Sequence, residues 1–400
     1  MKPPTINSQF AIRNPKSTEA VASVLESLRL DRGRGLWEQR LQQVTSQDVE
    51  AALASRPGSY GLAKLLALVS PAAEGHLEQM ATLSQRLTTQ RFGRTIRLYA
   101  PLYLSSHCVN RCRYCGFNRD NVFERVRLTV DQAAAEADIL ASEGFRDILL
   151  VSSEDRAFIT VEYLAELASR LKGKFSFINV EIYQMSSREY EQLFDAGIDG
   201  VTLYQETYDR DAYVRYHLGG PKADYEMRLR GPEDMARAGM REIGLGALLG
   251  LADWRVETLA LAEHASYLMR RYWQSHLSFS FPRLRPACGV PPAEFPHLLT
   301  DKNLVQMMLA LRLCFADAGI SLSTREPGPL RDHLMGLGVT RLSAGSRTSP
   351  GGYSDAGASA GQFEVNDHRS PSEVTAVIRS RGFDPVWKDW DDALWASKKD

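Results

Sequence analysis

The chain has 400 residues with 48 basic and 49 acidic side chains, a formal net charge of -1. That balance excludes field-driven attraction to nucleic acid or to an anionic membrane surface and leaves small molecules as the expected partners. No apolar run approaches the ~20 residues of a membrane span, and the opening MKPPTINSQF has no apolar signal core, so a cytoplasmic protein is expected.

Residues 1 to about 95 carry helix-period patterns. The segment Ser17 to Leu28 follows a capping-box signature at Ser17, and further helices are expected over Leu36 to Val44, Ser46 to Ala54 and Glu74 to Leu87. No motif with chemistry can be named here, so residues 1–95 read as a helical extension packed on a main domain of residues 96–400. From Ile96 the pattern alternates between strand and helix. The expected strands are Ile96 to Leu104, Asp147 to Ser152, Phe175 to Ile182, Gly200 to Leu203, Glu242 to Leu248, Leu277 to Phe281, Ser321 to Thr324 and Val339 to Ala344. Helices are expected between them: one capped by Thr129 with Gln132 and stopped at Gly144, then Val161 to Leu171, Ser187 to Phe194, a helix starting at Pro232, Val256 to Tyr272, Asp301 to Phe315, Leu330 to Leu337 and Pro371 to Arg381. Eight strand-helix units in order predict a (β/α)8 barrel, an α/β fold of TIM type.

A barrel places its chemistry where strands end, and the unusual residues fall there. Directly after the first strand comes Cys108-Val-Asn-Arg-Cys112-Arg-Tyr114-Cys115, three thiols spaced x3 and x2. Soft thiolates suit iron-sulfur clusters and zinc. A closed structural zinc site wants four protein ligands, and the other two cysteines, Cys288 and Cys314, are isolated. Three ligands leave one coordination position open to a small molecule. Later strands are followed by Ser152-Ser153-Glu154, Tyr204-Gln205-Glu206, Leu248-Leu-Gly250, Pro282-Arg283-Leu-Arg285, Thr324-Arg325-Glu326 and Gly345-Ser-Arg347.

The cysteine spacing, with an aromatic before the third thiol, resembles the radical S-adenosylmethionine (SAM) enzymes. From about residue 60 onward the stretches RFGRTIRLYAPLYLS, CVNRCRYCGF, DGVTLYQETY, GLGALLGLADWR, YWQSHLSFSFPRLRP, LSTRE, PGGYSD and PVWKDWD are similar to the 2-iminoacetate synthase family, the tyrosine lyases of thiamine thiazole biosynthesis. The resemblance implies a 4Fe-4S cluster on Cys108, Cys112 and Cys115, with SAM on its open iron. It implies cleavage of the Cα–Cβ bond of L-tyrosine to 2-iminoacetate and p-cresol, with thiazole synthase and a ferredoxin- or flavodoxin-type reductant as partners. Glu154 stands where relatives carry Gly-Gly-Glu against the cofactor's amino group. Tyr114, Gln205, Glu206 and Arg228 are likewise expected at the cofactor, and Arg325 and Ser343 at the substrate carboxylate, with Arg283 and Arg285 as rivals for that role. A related tyrosine lyase of hydrogenase maturation carries a second cysteine motif near its C-terminus; no cysteine follows Cys314 here. A tryptophan lyase and a zinc-stabilised binding protein are the remaining alternatives.

Overall fold

The computed structural model describes residues 20–290, 294–355 and 360–388. Eight parallel strands close on themselves: β1 Thr95–Ser105, β2 Asp147–Ser152, β3 Phe177–Glu181, β4 Gly200–Thr202, β5 Glu242–Gly246, β6 His276–Ser280, β7 Gly319–Leu322 and β8 Arg341–Ser343. Each pairs with its neighbour, and β1 pairs with both β2 and β8, which makes the sheet a barrel. All eight strands stand where the sequence alternation places them.

A ninth strand, β9 Asp384–Val386, was not foreseen, because three residues carry no readable period. Arg97 pairs with Arg341 of β8 and also with Val386 of β9, so β9 must lie on the other edge of β1. That is the edge β2 uses further along, from Ala100 onward. The floor of the barrel is ionic: Arg97 and Arg341 each reach both Asp147 and Glu242, with Arg341 at 2.6 Å from Asp147 and 3.0 Å from Glu242.

The first described helices, α1 Val21–Leu28, α2 Gly35–Gln43, α3 Ser46–Ala54, α4 Leu62–Val69 and α5 Leu77–Phe92, precede the barrel. The capping signature expected at Ser17 lies outside the described residues. The near-continuously apolar α4 was not foreseen, since a helix buried all round shows no amphipathic period. Between strands run α6 Val130–Ser142, α7 Val161–Leu171, α8 Ser187–Ala196, α9 Arg210–Tyr216, α10 Tyr225–Arg237, α11 Trp254–Arg271, α12 Asp301–Cys314, α13 Gly328–Leu334 and α14 Pro371–Ser380. The short α9 was also missed. One helix start is corrected: Pro232 lies inside α10, whose true N-cap is Asp224, its carboxylate accepting from Met227 N at 2.9 Å. Pro232 is the eighth residue of α10, in its interior, where it removes the bond to the Arg228 carbonyl and its ring crowds that turn. The main hydrophobic core runs from the N-terminal helices through the barrel, with smaller apolar clusters around Tyr216 and Phe295 and around Tyr103 and Phe117.

Candidate active site

The loop after β1 is held by bonds that do not involve the thiols. β1 ends in a register irregularity between Tyr103 and Ser105, and Ser105 Oγ donates to Asp155 at 2.7 Å. Arg127 holds the same carboxylate with a two-point fork, both bonds 2.8 Å. The Arg125 guanidinium donates to the carbonyls of Ser106, Phe117, Asn118 and Asn121, which fixes both arms of the cysteine loop. Outside it, Arg111 N donates to Gly219 O at 2.9 Å and Gly116 N to Gln362 O at 3.2 Å. Gly116 is required by close approach: a Cβ there would stand 2.6 Å from the Gln362 carbonyl.

This framework turns Cys108, Cys112 and Cys115 onto one wall of a cavity of about 940 Å³. The three thiols are unbridged, and burial pushes Cys112 up to about 12, opposed by the nearby Lys222 ammonium. Among the described residues no three His, Cys, Asp or Glu side chains converge on a single ion. The ligands of a cubane each take a different iron, so three soft donors spread along one wall of a roomy cavity fit a cluster's donor set.

The opposite wall comes from other strand ends. Glu206, after β4, has φ of 69°, a conformation rare for a non-glycine residue and held at some cost. Its carboxylate pairs with Lys222 and lies 3.8 Å from Arg228. Burial works against its charge, but Lys222 and Arg228 outweigh burial and leave its pKa below the ordinary value. Arg228 on α10 also donates from Nε to Tyr204 O at 2.8 Å. Tyr114 lines the same cavity and meets His217 Nε2 at 2.8 Å. Glu154, after β2, accepts from Asn110 Nδ2 at 3.2 Å, while Ser153 Oγ is spent on the carbonyls of Ser105 and His107. Tyr114, Glu154, Glu206 and Arg228 are thus brought together with the cysteines. Gln205 is not: it lines neither this cavity nor the next, and its buried amide has no partner among the described residues.

A second cavity of about 650 Å³ continues into the barrel. Its walls include Tyr103, Leu149, Phe281 and Leu322; Tyr99 and Ser321, with hydroxyls 3.4 Å apart, lie towards the ionic floor, Arg341 stacking 4.5 Å from the Tyr99 ring. Arg325 and Ser343 both line it. Arg325 lies 3.3 Å over the Phe363 ring, and no carboxylate of a described residue is within 4 Å of its guanidinium. Arg283 and Arg285 are instead committed to Glu326, Arg285 at 2.8 Å, and Arg283 also pairs with Asp301 at 2.8 Å. Arg283 lines neither cavity; Arg285 reaches the first.

Three contributors were missed. Lys222 sits in a polar loop that looks like surface, and Tyr204 was noted only as part of a loop. Glu181, at the end of β3, interrupts the apolar run FSFINVEIY, and that lone charge was the available signal. Room for the Tyr204 ring comes from Gly246, where a Cβ would stand 2.6 Å from Tyr204 Cδ1.

The model of the radical SAM superfamily matches residues 102–262, and that of the Biotin and Thiamin Synthesis associated domain residues 280–384. Over 370 residues the chain is 43% identical to the 2-iminoacetate synthases of Escherichia coli (strain K12) and Salmonella typhimurium, covering 91% of this chain and 97% of each relative. Among solved structures it is similar to HydG, a maturase of the FeFe-hydrogenase, with a TM-score of 0.83 and 31% identity, over 89% of this chain and 80% of that one. Two successive cavities at the strand ends, one walled by three thiols, agree with a likeness that runs nearly end to end, and the chain belongs to the 2-iminoacetate synthase family of radical SAM enzymes.

Proposed function

We propose that the chain is a carbon–carbon lyase that cleaves the Cα–Cβ bond of L-tyrosine to 2-iminoacetate and p-cresol while SAM becomes methionine and 5'-deoxyadenosine. The near full-length identity to 2-iminoacetate synthases carries this reading. Family membership brings a 4Fe-4S cluster and SAM. Cys108, Cys112 and Cys115 are the residues to hold the cluster, and Glu154, Glu206 and Arg228 those to hold SAM, with Tyr114 beside them. Bound there, the cluster and SAM supply an electron and a hydrogen-abstracting deoxyadenosyl group.

The protein's own work is positioning and exclusion of water. Arg325 offers a planar fork to the substrate carboxylate, with Ser343 on the same cavity. The substrate ring fits between Leu149, Phe281 and Leu322, and its hydroxyl reaches towards Tyr99 and Ser321. A buried hydroxyl without a partner costs about 1–3 kcal/mol, so these two give tyrosine an advantage over phenylalanine. The reducing electron must come from outside. Val109, Val214 and Leu218, at 48%, 71% and 51% exposure, lie on the cysteine loop, on α9 and just after it, with Arg111 and Arg215 close in sequence. With Arg111 paired to Asp120 at 2.7 Å, these exposed apolar residues and Arg215 are where we place docking of an acidic carrier of the ferredoxin or flavodoxin type. Thiazole synthase is the proposed recipient of the imine. Among the described residues no helix is long and apolar enough to cross a membrane. The test is anaerobic turnover of the reconstituted protein with tyrosine and with tryptophan, following p-cresol and 5'-deoxyadenosine; 5'-deoxyadenosine formed faster with tryptophan, without p-cresol from tyrosine, would move the reading to a tryptophan lyase.

A further inference from the structure

Six residues line both cavities: Val151, Glu181, Tyr204, Pro282, Arg325 and Phe363. Only Glu181 and Arg325 among them carry charge, and the two have opposite signs. The remaining ionic groups of the first cavity are already engaged: Glu206 with Lys222 and Arg228, Glu154 with Asn110, and Arg285 with Glu326. No lysine or arginine of a described residue lies within 4 Å of the Glu181 carboxylate, whose hydrogen-bonding neighbour is Tyr204. One uncommitted acid and one uncommitted base therefore face each other across the passage.

We propose that Glu181 is the amino-group subsite: its carboxylate receives the α-ammonium of the amino acid while Arg325 receives the α-carboxylate. The inference rests on the reading of the chain as an amino-acid lyase and adds a residue to it. With both ends of the zwitterion held at the passage, the α-carbon stands between the cavities. The side chain then has one direction to take, into the apolar cavity over Tyr99, and the N–H bonds face the cysteine-lined side where hydrogen abstraction must occur. Burial raises the Glu181 carboxyl to about 7, with Arg325 pulling against it, as expected of an acid whose counter-cation is still to arrive. The position is fixed by the fold, because Glu181 pairs in register with Val151 of β2 at the last rung of β3.

The experiment measures equilibrium affinity of the cluster-loaded, SAM-bound protein without reductant for two ligands. L-Tyrosine has both charges; 3-(4-hydroxyphenyl)propanoate keeps the carboxylate and phenol and lacks the amine. Wild type should prefer tyrosine by at least about thirtyfold, the low end for losing one partner of a buried charge pair. Glu181→Gln should weaken tyrosine selectively and erase that preference, while Glu181→Asp, which keeps the charge, retains part of it. Two results overturn the assignment: a wild type that binds the two ligands equally, or a Glu181→Gln protein of normal iron content that weakens both alike. The second would leave Glu181 as a support for Tyr204. The wild-type comparison needs no variant to fold. Failure of the lyase reading has a different signature, since wild type would then yield no p-cresol from tyrosine at all.

Discussion

Among the described residues Arg325 has no carboxylate partner to give up, which is why we propose it as the anchor over the other candidate arginines. Arg283, by contrast, is locked on Glu326 and Asp301. Removing a cation from a buried ion pair costs about 3–5 kcal/mol, so Arg325→Ala should lower tyrosine affinity by roughly two to four orders of magnitude. SAM cleavage should continue slowly under strong reductant while p-cresol nearly disappears, an uncoupling read by comparing 5'-deoxyadenosine with p-cresol. Arg325→Lys should recover only part of the loss, because an ammonium lacks the fork. The same passage predicts a pH dependence. Glu181 faces Arg325 after β7, Glu206 after β4, Lys222 after α9 and the phenols of Tyr99, Tyr103 and Tyr204. It must be ionised to take an ammonium, and its pKa is raised to about 7, so kcat/KM for tyrosine should fall as pH drops through about 7. That limb should be absent in Glu181→Gln. At this scale the cysteines and Arg325 stood out because they follow strands, whereas the carboxylate role of Arg325 and of Ser343, which lies within β8, came from the family resemblance. It did not single out Glu181, since a lone acid at the end of an apolar strand shows its role only when its neighbours in space are known.

The cysteine loop is held by the Arg125 and Asp155 networks, whose bonds do not involve the thiols. Cys112→Ala should therefore lose the cluster and 5'-deoxyadenosine formation while the protein stays folded, as circular dichroism and iron analysis would show. Cys288→Ala and Cys314→Ala should keep their iron; Cys288 is exposed and Cys314 is buried at the end of α12. Loss of iron in either would reopen the choice of ligands. A second tie joins α13 to β8 and to the segment before α14: Arg331, 1% exposed, pairs with Asp367 and donates to the Ser343 carbonyl. Asp367 also holds Arg369, and these bonds outweigh its burial to bring its pKa down to about 2. A carboxyl whose pKa is depressed on folding stabilises the folded state above its unfolded value, near 3.9, and that share is lost as pH falls through about 2. Asp367→Asn should thus lower the melting temperature at neutral pH and make it less sensitive to acid between about pH 4 and 2. The strands were legible because buried parallel strands read as short apolar runs between turn signals. Pro232 misled because its preference for a first turn outweighed the polar residues before it, and α4, α9 and β9 were too uniform or too short to show a period.

At the scale of the molecule, no described residue before Tyr99 lines either cavity, yet the N-terminal helices touch the machinery from behind. Arg34 meets Glu257 of α11 at 2.7 Å, and Glu257 also accepts from Thr207 Oγ1 and Tyr208 N, each at 2.9 Å, directly after Glu206. We propose that the described helices of residues 20–95 act as an outer layer that braces the strand ends. Arg34→Ala would strand a buried carboxylate and should destabilise the fold by about 3–5 kcal/mol, readable in thermal unfolding. A thiol-walled cavity opening through one charged passage into an amino-acid cavity is tested most directly by single-turnover analysis of the anaerobic, reconstituted protein with L-tyrosine. Wild type should give p-cresol and 5'-deoxyadenosine in near-equal amounts, and Arg325→Ala 5'-deoxyadenosine without p-cresol; wild-type p-cresol yield surviving Arg325→Ala unchanged would contradict the arrangement.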